Sequence, residues 1–256
     1  MFRQERAMSE LSQATIRPEL VTELVTRLQQ ADQFPELRKI YVDFLSGVGV
    51  RMMSYHHLPP LGAEDYDPHI AVMAHGFPDS WVQRYVDESL YDIDPIPQHA
   101  AKSALPFKWS EARHFQDLTD DNRRYLDLLD AAALGDGLAI PVFGPHGRNG
   151  YAGYGFGTPT LEIGNTEIAL LRWAAQIGHL AYCDLLMAHP KDACHLSPRE
   201  CEVMAWAARG KSNAVIAEIL GVSRHTVDTH VRRVFNKLGV ADRVTATLRA
   251  LSLGLI

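Results

Sequence analysis

The sequence predicts two domains of different fold class: an N-terminal α+β domain built as an α/β/α sandwich, then an all-α domain of four helices. Three observations predict it. At 256 residues the chain is long enough for two domains of ordinary size. Up to Met187, helical patterns are interleaved with period-two runs, whereas residues 196–256 carry helical periodicity alone. Charge divides at the same place. From Leu196 onward 9 Lys and Arg face 5 Asp and Glu, a net +4, which leaves −10 on the rest of a chain whose total is −6. A basic module on an acidic body confines a phosphate-attracting field to the C-terminal end. With 46% hydrophobic and 22% charged residues, the composition is that of a globular protein and not of a disordered or fibrous one.

In order, residues 1–16 are polar and expected to fray. Pro18–Gln29 and Pro35–Leu45 read as amphipathic helices, with Leu20, Leu24 and Leu28 on one face. Val48–Tyr55 and Ile70–Ala74 read as strands around a Pro59-Pro60-Leu61-Gly62 loop, and Asp79–Leu90 as a helix carrying Trp81 and Tyr85. Asp94-Pro95 begins another helix, with aspartate as N-cap and proline at the first helical position. Leu118–Leu134 is a longer helix. Gly137–Phe143 and Gly150–Phe156 are strands joined by a glycine-rich loop, in which Asn149-Gly150 signals a hairpin. That loop lies between two strands and lacks the GxxxxGK[ST] order, so it is no phosphate cradle. Glu162–Met187 reads as one long helix able to cover a sheet face or pair with a second copy.

The second domain opens on Ser197-Pro198-Arg199-Glu200, a capping box with proline inside it, and Gly210 ends that helix. Ser212–Leu220 is a shorter helix, with Val215, Ile216, Ile219 and Leu220 inward. Gly221-Val222-Ser223 is a tight turn, and Ser223 caps the next helix. Val227, Val231, Val234 and Leu238 form the buried stripe of that helix, while His225, Asp228, Thr229, Arg232 and Asn236 lie opposite. Such side chains carry the groups that read base edges in a major groove. Helix, glycine turn and second helix make a helix-turn-helix. Asp242–Leu251 supplies the fourth helix.

Leu196-Ser197-Pro198-Arg199-Glu200, Gly210-Lys211-Ser212-Asn213, Ile216 to Ser223, Thr226-Val227, Thr229-His230-Val231 and Lys237-Leu238-Gly239-Val240 closely resemble the LuxR-type (GerE-like) DNA-binding domain, without gaps from Leu196 to Ile256. The resemblance implies double-stranded DNA as partner. Ser223, Arg224, His225, Thr226, Asp228, Thr229, Arg232, Arg233 and Lys237 are the candidate contacts. Met204 stands where leucine is usual. Asp228 stands where lysine or arginine is frequent; a carboxylate there could accept from a cytosine amino group.

In the first domain, Trp81, Tyr85, Asp94, Pro95, Trp109 and Gly137 each have an ordinary structural use as core aromatic, cap or turn. As a set, at these separations, they resemble the acyl-homoserine-lactone-binding domain that precedes LuxR-type modules, over roughly residues 35–186. The resemblance implies that Trp81 bonds a lactone carbonyl, Tyr85 the amide carbonyl and Asp94 the amide N–H. Trp109 would pack on the lactone ring, and Gly137 would give the ligand room. The chemistry agrees: a buried lactone amide has two carbonyl acceptors and one N–H donor, and each one left unpaired costs about 1–3 kcal/mol. Tyr151, Gly153, Gly155 and Gly157 share one strand face by alternation. Gly153 and Phe77 stand where relatives carry hydroxyls. The expectation is a roomy apolar pocket favouring an unsubstituted medium-to-long or bulky acyl group over its 3-oxo counterpart, unless the glycines mark a bulge or a close approach.

The expected organisation is a sensor domain over 17–188, a linker over 189–195 and a DNA-binding domain over 196–256, acting as a homodimer on a palindromic promoter site. No cofactor or metal is expected: Cys183, Cys194 and Cys201 lack CxxC spacing, and the 12 histidines form no HExxH. No apolar leader or bilayer-length run is visible, so a cytoplasmic location is expected. Three other readings share some features. A phosphorylation-switched response regulator needs an early acidic pair, which Asp120-Asp121 is too late to supply. A lactone-cleaving enzyme needs a metal cluster or an activated nucleophile, and the sequence shows neither. A receptor without its own synthase, answering a foreign or non-lactone molecule, stays open.

Overall fold

Strict alternation in three long strands makes the first domain a two-sided sheet. In the computed structural model, which describes residues 16–63, 72–188 and 195–256, the strands are β1 (Met52–Leu58), β2 (Val72–His75), β3 (Phe107–Lys108), β4 (Asp136–Phe143) and β5 (Asn149–Thr158). They form one antiparallel sheet in the order β2-β1-β5-β4-β3. Met53, Leu138, Ile140, Val142, Ala152 and Tyr154 point to one face, and Met52, Ala139 and Tyr151 to the other. The first face packs on α1 (Pro18–Leu28), α2 (Phe34–Gly47) and α6 (Asn165–Ala188). The second is covered by α3 (Asp79–Asp87), α4 (Pro95–Ala100) and α5 (Asp120–Ala131). This is the expected α/β/α sandwich.

The differences from expectation are local. β1 starts at Met52, four residues after the expected Val48, which instead caps α2, and runs three residues beyond Tyr55; the two-residue β3 carried no periodic signal. The helix expected over Asp79–Leu90 stops at Asp87 and resumes as a single 3-10 turn over Leu90–Asp92. On α1, Val21 is buried and Leu20 is exposed. Asn149-Gly150 is not the hairpin turn, because both residues already pair with Phe143 and Val142 at the start of β5. The expected linker and polar N-terminus lie outside the described residues, apart from Ile16 and His195, as do Ile70 and Ala71 of the expected second strand.

The described residues separate into two compact units, one of 16–58, 72–144 and 149–188, the other of 59–63, 145–148 and 195–256. The second holds α7 (Pro198–Ala208), α8 (Asn213–Leu220), α9 (Arg224–Leu238) and α10 (Arg243–Ser252) around Val203, Met204, Ile216, Val227, Val234 and Leu238. Met204 is fully buried, so it fills the place usual for leucine. On α8 the buried residues are Ile216 and Ala217, while Val215 and Ile219 are exposed, which corrects the expected inward face.

On the α6 side of the sheet, Gly178 allows the Tyr41 ring to approach; an added Cβ would lie 2.6 Å from Tyr41 Cε2. Tyr41 in turn shares a short hydrogen bond with the Tyr154 hydroxyl. Gly178→Ala should therefore destabilise the protein by about 1–3 kcal/mol through overpacking. Urea unfolding measures it, and an unchanged midpoint would contradict this packing.

Candidate ligand cavity and nucleic-acid interface

Between the sheet and helices α3, α4 and α5 lies a cavity of about 370 Å³. Trp81, Tyr85, Asp94, Trp109 and Phe77 line it, so five of the eight expected ligand residues share one wall system. Trp81 and Tyr85 face it from α3, four residues apart. Asp94 caps α4: its Oδ1 accepts from the Ile96 amide at 2.9 Å. Its Oδ2 accepts from the Tyr85 hydroxyl at 3.1 Å. The cap reading and the cavity reading thus hold together, one oxygen for each. Pro95 is buried at the first position of α4. Burial raises the Asp94 pKa to about 6, with the Ile96 amide and the Tyr125 and Tyr85 hydroxyls pulling the other way.

Two side chains that the sequence did not single out hold this arrangement. Asn122, in the Thr119 capping box of α5, donates to the Ile93 carbonyl at 2.9 Å and so ties α5 to the residue before Asp94. Asp136 accepts from the Ser110 amide at 3.0 Å, the Ser110 hydroxyl at 2.9 Å and the Gly137 amide at 2.8 Å, which fixes the 3-10 turn that carries Trp109. Trp109 stacks on Phe77 with ring centres 6.4 Å apart.

Pro95, Gly137 and Gly153 are not part of the lining. An added Cβ at Gly137 would lie 2.5 Å from the Trp109 ring, so this glycine makes room for the indole behind the cavity and not for a ligand inside it. At Gly153 an added Cβ would lie 2.5 Å from both the Ser54 and Tyr151 hydroxyl oxygens, and at Gly155 2.8 Å from Met52 Cε and 3.0 Å from Trp109. Gly157, at φ +68°, lies where the β4–β5 register shifts. The expected roominess is therefore corrected: the glycines mark a close approach and a bulge, and aromatic side chains fill their space. The floor is also not devoid of hydroxyls, because Ser54 and Tyr151 bring theirs to the point where a Gly153 side chain would stand. Ser54, His56, Tyr125 and Tyr151 are lining residues that the sequence reading missed as such. For Tyr151 a signal existed, since it shares its strand face with Gly153.

In the second unit, Ser223 caps α9 and accepts from the Thr226 amide at 3.1 Å. Arg224, His225, Arg232, Arg233 and Asn236 are exposed, and Thr226 and Thr229 are half-buried. Asp228 is engaged inside the unit. Its Oδ1 accepts from Asn213 Nδ2 at 2.7 Å, and Asn213 Oδ1 accepts from Arg243 at 2.8 Å. This chain links α9 to α8 and α10 and engages one of the two Asp228 carboxylate oxygens. Lys237 is engaged too: its Nζ donates to Glu200 Oε2 at 2.7 Å and to the His195 carbonyl at 3.1 Å. Glu200 is the buried partner of the Ser197 capping box. Burial pushes its pKa up, but Lys237 and the Ser197 amide and hydroxyl outweigh that and hold it below the ordinary range.

The autoinducer binding domain family matches residues 34–182, and the family of bacterial regulatory proteins of luxR type matches residues 195–250. The chain belongs to the LuxR family. It is a quorum-sensing transcriptional regulator with an autoinducer-binding and a DNA-binding domain, and the family is one of regulators, not enzymes. Among LuxR-family relatives, the quorum sensing-dependent transcriptional regulator RpaR of Rhodopseudomonas palustris is 31% identical over 184 residues, 72% of this chain and 74% of its own. The transcriptional activator AhyR of Aeromonas hydrophila is 30% identical over 197 residues, covering 70% and 71%. The crystal structure of Escherichia coli SdiA shares the fold, with a TM-score of 0.71 at 20% identity over 92% of this chain and 97% of that one. A structure of SdiA in complex with octanoyl-rac-glycerol gives a TM-score of 0.69, again at 20% identity, over 91% and 93%.

Lys237→Met should lower the stability of the DNA-binding unit by about 1–3 kcal/mol, because a buried carboxylate loses its partner. A carboxyl whose pKa is depressed by folding stabilises above its unfolded value, near 4.3, and loses that contribution as pH falls through the folded value. The deficit of Lys237→Met should therefore fade below about pH 4. Arg232→Ala should weaken DNA binding with an unchanged melting temperature. Thermal melts and DNA titrations of the two variants check this, and Lys237→Met with wild-type stability would contradict it.

Proposed function

We propose that this regulator binds an N-acyl homoserine lactone in the cavity lined by Trp81, Tyr85, Asp94 and Trp109, and then binds a palindromic promoter site as a homodimer. The observation that carries the reading is the Asp94 carboxylate, 3.1 Å from the Tyr85 hydroxyl and buried in an aromatic-lined cavity that Trp81 also lines. A carboxylate acceptor, an indole donor and, once its hydroxyl turns from Asp94 to the ligand, a phenol donor answer the N–H and the two carbonyls of a lactone amide. Homodimerisation is supported by α6, whose outer face leaves Trp173, Leu180 and Met187 exposed at seven-residue intervals; Trp173 is 65% exposed. With one helix-turn-helix per chain, a dimer places its two half-sites about 10 base pairs apart.

A second reading is kept because of one relative. SdiA, with the same fold, forms a complex with octanoyl-rac-glycerol. Glycerol hydroxyls could donate to Asp94 as an amide does, so a receptor for a foreign or non-lactone acyl compound fits the same acceptor.

The test combines extraction with melting. Ligand extracted from the purified protein and identified by mass spectrometry should be an intact acyl homoserine lactone. Lactone at 100 times its dissociation constant should stabilise the fold by about 2.7 kcal/mol. Asp94→Asn should lose most of that stabilisation, since its amide can present a donor to a donor. An acylglycerol in the extract, with no stabilisation by lactone, would favour the second reading.

A further inference from the structure

Under the proposed reading, the polar groups that read the lactone amide come from the helical side of the cavity. The sheet side holds a second polar group that this reading leaves unused. Ser54 and His56 lie on β1, and Tyr151 lies directly opposite His56 on β5. All three line the cavity and are buried, with 8%, 3% and 3% of their surface exposed. The His56 and Tyr151 rings are 5.0 Å apart. The Ser54 and Tyr151 hydroxyls converge, each 2.5 Å from the point where a Gly153 Cβ would stand.

An imidazole on this floor is chemically costly. Burial drives the His56 pKa down to about 3, so the ring is neutral, and its Nδ1 has no hydrogen-bond partner among the described residues. A buried polar atom without a partner forfeits the hydrogen bond it would make to water in the unfolded chain. An apolar residue at this place would avoid that loss against a plain alkyl chain. A ligand oxygen that lies along the floor changes the balance, because it supplies what the strand pair lacks. A hydroxyl suits best, since it can donate to an imidazole nitrogen while accepting from a Tyr151 or Ser54 hydroxyl.

We propose that Ser54, His56 and Tyr151 form a second polar subsite, which selects an acyl group carrying a hydroxyl over the same chain unsubstituted. This rests on the lactone reading, and it replaces the preference for unsubstituted chains that Phe77 and Gly153 suggested in the sequence. From Ser54 to His56 the strand advances by about 6.6 Å, so the position of the hydroxyl along the chain matters.

The experiment is a calorimetric titration of the full chain with N-octanoyl homoserine lactone and with its isomers hydroxylated at carbon 3, 5 or 7. Each is repeated with His56→Leu and Tyr151→Phe, and melts of the ligand-free variants confirm folding. At least one hydroxylated isomer should bind wild type ten-fold or more tighter than the unsubstituted lactone, and that advantage should shrink several-fold in both variants. Tyr151→Phe keeps the ring and tests the hydroxyl alone, so a misfolded His56→Leu does not decide the outcome. Equal or weaker binding of every hydroxylated isomer overturns the subsite while leaving the lactone reading intact. An advantage retained in both folded variants overturns it too. Binding of none of the four compounds overturns the lactone reading itself.

Discussion

Placing a carboxylate inside an aromatic cavity is costly unless its oxygens are occupied, and the sensor domain is arranged around meeting that demand at Asp94. One oxygen satisfies the first turn of α4, and the other takes the Tyr85 hydroxyl of α3. Tyr125 of α5 adds a further hydroxyl, and the Asn122 bond to the Ile93 carbonyl holds α5 in place to supply it. Three helices and the segment before α4 are thereby oriented by one acidic group. Even so, burial dominates and the carboxyl stays harder to ionise than in water. A ligand donor that reaches this oxygen meets an acceptor already desolvated, which strengthens the bond it forms.

The Trp109 side of the cavity is fixed by a different economy of space. Gly137 and Gly155 leave no side chains on the floor, so the indole lies against the sheet, and Asp136 holds its turn by two hydrogen bonds to Ser110. Tyr151 does the same over Gly153. Small residues here set where large rings rest, and the rings define the shape of the cavity. In the DNA-binding unit the helices draw on side chains that the motif would offer to DNA. Asp228 and Lys237 are spent on Asn213 and Glu200. The exposed groups left on α9 are Arg224, His225, Arg232, Arg233 and Asn236.

The parts of this protein legible in sequence are those fixed by short-range pattern. Alternation in β4 and β5, the Ser197 and Ser223 caps and the valine stripe of α9 each need only near neighbours to be read. Trp81, Tyr85, Asp94 and Trp109 were recognised as a set by their separations, and the structure brings them to one cavity. What escaped depends on pairing between strands far apart in sequence. That His56 opposes Tyr151, and Ser54 opposes Gly153, follows from the β1–β5 register, which spans nearly a hundred residues of intervening chain. Glycine in a strand also has two opposite meanings, empty space or a close neighbour, and only the neighbour's position decides. Lys237 escaped for the same reason, because its partner Glu200 sits two helices earlier, on α7.

The proposed contact on which the sensor domain turns is between the Asp94 carboxylate and the amide N–H of an acyl homoserine lactone. The most direct measurement is the titration of the Asp94 side-chain carboxyl by carbon-13 NMR, with and without N-octanoyl homoserine lactone. Free protein should show a carboxyl titrating near 6, well above an ordinary aspartate. A donor bonded to the ionised form favours it, so the lactone should move the midpoint clearly downward, and affinity should rise with pH across the same window. A midpoint that stays in place when the protein is saturated with lactone, or that rises, would contradict the account.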